Sequence, residues 1–123
     1  MRDLSCDTIQ ELLTIFRNSC LAQYETYKTE DNKKYNKLYD VIRSVAYELN
    51  RRGVEERRSL LVLLNDQNFQ VRLQAAIYVY SVAQSEARAC LETIRATKLP
   101  DLSLAAGMML RGLEKNPQCL DQI

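Results

Sequence analysis

The side chains that could do chemistry here are four cysteines, sixteen acids, seventeen bases and seven tyrosines, and there is no histidine. Without an imidazole the chain lacks the commonest general base and the commonest zinc ligand. It also cannot assemble a Ser-His or Cys-His nucleophile. Cys6, Cys20, Cys90 and Cys119 are separated by 14, 70 and 29 residues, so no CxxC pair forms a redox or zinc motif. On one helix Cys6 and Cys20 would lie about 21 Å apart, too far to bridge. Cys20 and Cys90 are expected as small buried hydrophobes, and Cys6 and Cys119 as loose terminal thiols in a reducing compartment. A catalytic carboxylate would need a second acid or base brought to it by the fold, and spacing supplies none. The expectation is a protein that is not an enzyme and holds neither cofactor nor metal.

Charge offers two places for binding instead. Arg51, Arg52, Arg57 and Arg58 surround Glu55 and Glu56 at a chain corner, where Glu48 can pair with Arg52 at i,i+4. They form the alternative, anion-binding candidate. Lys33, Lys34 and Lys37 sit where a helix start disfavours cations. No glycine-rich phosphate loop accompanies either cluster. A net charge of +1 gives no global field for a polyanion, so nucleic acid is not the expected partner.

Such residues need a scaffold, and 123 residues with 46% hydrophobic and 27% charged side chains suit a single globular domain. Nothing near the start has the pattern of an export signal and no stretch is apolar enough for a membrane span, so a cytoplasmic protein without membrane contact is expected. Apolar residues recur three and four apart almost throughout, which predicts an all-helical chain. The first helix should run from about Asp7 to Lys28 behind an Asp7–Gln10 capping box, and residues 1–30 should act as a cap over the helix array. The second should begin at Asp31 or Asn32 and stop at a left-handed Gly53. A third, Glu55 to Leu64, ends in an apolar run, Leu60 to Leu64, that reads as central. Phe69 to Ala83 form a fourth, Ser85 caps a fifth, and Pro100 opens a sixth that Pro117 ends. Six helices with short connectors make three antiparallel pairs.

An internal repeat links the pairs. Adding 33 to Leu38, Ile42, Ala46 and Leu49 gives Val71, Ala75, Val79 and Val82, and adding 31 gives Leu102, Ala106, Leu110 and Leu113, all apolar. The same offsets align Tyr47, Tyr80 and Arg111 in one row, with Tyr39 and Arg72 in a parallel row. Each member of the first row is one step past the apolar seam, about 100° round the helix, so it is expected at the surface. Tyrosine with arginine is a favoured contact composition.

Leu60 to Leu64 followed by Asp66-Gln67-Asn68-Phe69-Gln70-Val71-Arg72 and the small pair Ala75-Ala76 resembles the HEAT repeat. With Asn36 to Tyr39, Arg52-Gly53 and Ala87 to Leu91, the chain is similar to a small bacterial HEAT-like family known only as a domain of unknown function. The resemblance implies an α-α superhelix, a right-handed stack of helix pairs, and no activity. Thr97 and Ser103 stand where Asp66 and Arg72 would recur, which interrupts any Asp-Arg ladder. The expected function is a protein-protein interaction module using Tyr39, Tyr47, Arg72, Tyr80 and Arg111. The alternatives are a nucleic-acid or phosphate-ligand binder, or a HEAT-like enzyme on such a ligand, at the arginine corner. An immunity-type protein that neutralises a toxin is a special case of the interaction module.

Overall fold

The structure is a computed structural model that describes residues 3–116; Pro117, as the end of the last helix, and Cys119, as a terminal thiol, lie outside it. Six α-helices occupy the described residues, with no strand among them: α1 Ile9–Thr29, α2 Asn32–Arg52, α3 Val54–Arg58, α4 Phe69–Val79, α5 Gln84–Ala96 and α6 Pro100–Lys115. None is long and apolar enough to cross a membrane. The chain divides into two compact units after Ser59.

In the first unit α1 and α2 pack as a hairpin, and α3 packs on α2. Thr8, not Asp7, caps α1: its hydroxyl accepts from the Glu11 N–H, and the Glu11 carboxylate accepts from the Thr8 N–H, each at 3.1 Å. The box lies one residue beyond the expected one because Asp7 turns inward and is buried. Leu12, Leu13, Phe16 and Cys20 fill the seam with Ile42, Val45, Ala46 and Leu49 of α2. Near the hairpin turn Tyr27 packs edge-on to Tyr24 and tilted against Tyr35. Gly53 does end α2, but at φ 139° and ψ 174° rather than in the left-handed helical well. That region is open essentially to glycine alone.

From Ser59 the chain tightens into a 3-10 segment, Ser59–Asn65, nearly all of it in the second unit. Three residues per turn put Leu60 and Leu63 on one line, and both are buried. Val62 falls on the other side and is 64% exposed, so the apolar run is not central all round. Helix α4 packs against both α5 and α6. Its neighbours bury Val71, Leu73, Ala75, Ala76, Tyr78 and Val79, a spread too wide for a single stripe. A second 3-10 turn, Tyr80–Val82, leads to α5, whose N-cap is Ala83 without a side-chain bond; Ser85 sits inside the first turn. Of the twelve aligned apolar positions only Leu38 and Val82 escape full burial, so the periodicity identified the core of each unit.

Candidate functional site

The turn into α4 is built from its own side chains. Asp66 Oδ1 accepts from the Asn68 N–H at 2.9 Å, and Asn68 Oδ1 then accepts from Gln70 N and Val71 N at 2.8 and 3.2 Å. One turn into the helix the Arg72 Nε donates to the Asp66 carbonyl, and the guanidinium lies 4.9 Å over the Phe69 ring. Thirty-one residues on, neutral groups repeat one part of this pattern. Thr97 Oγ1 accepts from the Leu99 N–H at 3.3 Å, and Ser103 Oγ donates to the Arg95 carbonyl at 2.7 Å. The Asp66 contact thus has a neutral counterpart at Thr97, whereas Ser103 reaches the carbonyl eight residues back and not the one six back that Arg72 takes.

Beside this turn, within the second unit, lies a cleft of about 410 Å3. Leu61, Leu64, Ala89 and Cys90 form much of its wall, with Arg72 and Glu86 among its polar lining. The Cys90 thiol reaches the Arg72 carbonyl at 3.6 Å. Burial pushes this thiol up to about 11, against the pull of the Arg72 charge. A thiol held protonated is a poor nucleophile. Arg72 Nη1 and Nη2 have no acceptor and Glu86 has no partner among the described residues.

Tyr39 and Tyr47 lie two turns apart on α2 and are 41% and 42% exposed. Between them Arg43 donates from Nε to the Tyr47 hydroxyl at 2.8 Å, with its guanidinium 5.0 Å from the Tyr47 ring centre. Arg43 was legible at four-residue spacing from both tyrosines, yet the offsets between helices pass over it. Arg111 is exposed on α6 beside the outward-facing Met108 and reaches back over Gly107. A Cβ at Gly107 would meet Arg95 and Arg111 side chains at ordinary contact distance, so no helix backbone presses on that glycine.

Tyr80 corrects the expected row: it is 2% exposed and cannot meet a partner. The α-helix ends at Val79, and the 3-10 turn that follows advances 120° per residue and packs on α5. The α-helical step that carries Tyr47 and Arg111 outward is therefore absent at Tyr80.

The arginine corner is engaged within the first unit. Glu48 takes Arg51 at 2.6 Å and Arg52 at 2.7 Å. Hydrogen bonds from Arg51 and then Arg52 bring its carboxyl down to about 2. Arg52 also donates to the Leu4 and Ser5 carbonyls, Arg57 is buried and donates to Asn50 at 2.9 Å, and Arg58 is partly buried. Arg52 and Arg57 thus tie the end of α2 to its surroundings, and with Arg51 they already spend donors on protein acceptors, which argues against an open anion cradle.

A family model described as a domain of unknown function, DUF2019, matches residues 10–114. The crystal structure of the protein RPA1889 from Rhodopseudomonas palustris CGA009 is similar, with a TM-score of 0.91 and 34% identity over 94% of this chain and 96% of that one. Comparison with the curated proteins found no match. The match across nearly all of the helical region places this chain in the family of the domain of unknown function DUF2019.

Proposed function

We propose that the chain is a non-enzymatic, HEAT-like module that binds a protein partner through the Tyr39, Arg43 and Tyr47 face of α2. The observation that carries this reading is the pair of exposed tyrosine rings on one rigid helix, with the Tyr47 ring fixed by Arg43. The two residues are about 12 Å apart along the helix axis. Aromatic and arginine side chains dominate contact hot spots, and a ring already held in place loses little freedom on binding. The HEAT-like assignment draws on the Asp66, Asn68 and Arg72 turn and on the neutral counterpart of the Asp66 contact at Thr97. The non-enzymatic assignment draws on the protonated Cys90 thiol and the absence of histidine from the sequence. A reducing cytoplasm suits the free thiols of Cys20 and Cys90.

The test is capture of a partner from native lysate by the immobilised protein, followed by titration of the identified partner. Tyr39→Ala and Tyr47→Ala should leave the melting midpoint near wild type and weaken the partner by about 2 kcal/mol or more at the stronger anchor. Binding should change little between low and moderate salt. An affinity unaffected by both substitutions would remove this face from consideration. A steep fall with salt would favour the phosphate-driven alternative.

A further inference from the structure

The Arg72 cleft is independent of the α2 face, and its chemistry is more specific. The guanidinium is held by the Asp66 carbonyl on Nε, and its carbon lies 4.9 Å over the Phe69 ring centre. Those contacts leave Nη1 and Nη2 without an acceptor among the described residues, and Arg72 lines a cleft whose sides include Leu61, Leu64 and Ala89. A forked donor edge fixed beside apolar surface matches a planar carboxylate attached to an apolar body. Glu86, also in the lining and without a partner among the described residues, adds a negative charge that disfavours a second anionic group on the ligand. The volume of about 410 Å3 lies in the range of small-molecule sites, roughly 300 to 1,000 Å3.

We propose that this cleft binds a monocarboxylate with an apolar tail, Arg72 taking the carboxylate and Leu61, Leu64 and Ala89 the tail. Two sources carry that chemistry, a free aliphatic acid and the C-terminal carboxylate of a peptide ending in an apolar residue. Both place one negative charge at Arg72 and apolar carbon along the leucines. A phosphate or a dicarboxylate would bring an additional charge toward Glu86.

The experiment follows backbone amide shifts of the full chain during titration with hexanoate, with an N-acetylated dipeptide ending in leucine, with adipate and with hexylamine. Either monocarboxylate should move the amides of Asn65, Arg72, Cys90 and Thr93 saturably, and the tighter of the two identifies the source. Hexylamine should leave them in place, and adipate should bind about tenfold more weakly. Arg72→Lys keeps the charge but loses the fork, and should weaken the monocarboxylate about tenfold or more. Glu86→Gln, at an exposed side chain, should narrow the adipate gap to within about threefold and so tests selectivity without touching the core. The proposal is overturned if neither monocarboxylate gives saturable shifts, if hexylamine shifts the same amides equally, or if a folded Arg72→Lys binds as wild type does. An unchanged adipate gap in Glu86→Gln would likewise overturn the role given to that carboxylate.

Discussion

At the scale of single residues, two titrating groups give measurable consequences. Glu48 accepts from two arginines, which bring its carboxyl from an ordinary 4.5 down to about 2. A depressed carboxyl contributes stability that is complete above its ordinary value and is lost as pH falls through the depressed one. The urea midpoints of wild type and Glu48→Gln should therefore differ by a constant amount above about pH 5 and converge toward about pH 2. A gap that persists at the acid end would show that Glu48 acts through packing instead of charge. Cys90 lies at the other extreme, its thiol pushed up to about 11 by burial. Exposed Cys6 should react with iodoacetamide at mildly alkaline pH while Cys90 stays protected until denaturant is added, as resolved by peptide mass spectrometry. Comparable rates at the two would mean that Cys90 is open to solvent. Sequence spacing separated these cysteines correctly, because Cys20 and Cys90 fall on apolar stripes and Cys6 precedes the first helix.

At the scale of elements, ends were harder to read than interiors. The stripe of α1 follows from its sequence, but Asp7 and Thr8 are both good caps, and only the inward turn of Asp7 selects Thr8. Thr8→Ala should cost about 1 kcal/mol in denaturant unfolding, with Thr8→Asp recovering most of it. No loss in the alanine variant would show that the box contributes nothing to α1. Ala75 is fully buried where α4 meets its neighbours, and Ala75→Leu should lower stability by roughly 1 to 3 kcal/mol by overpacking. An unchanged midpoint would place Ala75 at a yielding site. The 3-10 segments were not legible, since an apolar run such as Leu60 to Leu64 satisfies either helical period over so short a span.

At the scale of the whole molecule, the two tyrosines aligned by the repeat part company. Tyr80→Ala should cost about 3 kcal/mol or more, as large-to-small changes in a core do. Tyr47→Ala should stay within about 1 kcal/mol, and urea unfolding of the two variants side by side measures the contrast. Similar losses in both would mean that the aligned positions share one environment after all. The helical class, the number of helices and most buried positions outside α4 follow from local periodicity, because a 3.6-residue stripe is written into the chain before anything packs; Leu73, Tyr78 and Tyr80 lie off that stripe and are buried all the same. The i,i+4 pair of Glu48 with Arg52 was legible as well. The burial of Tyr80, the contacts of Arg52 with the Leu4 and Ser5 carbonyls and of Arg57 with Asn50, and the cleft beside Arg72 do not follow from local spacing. Each depends on which surfaces meet and on where a helix tightens by one turn. Contacts between residues distant in the chain, such as Arg52 with Leu4 or Cys90 with Arg72, exist only once the helices have packed.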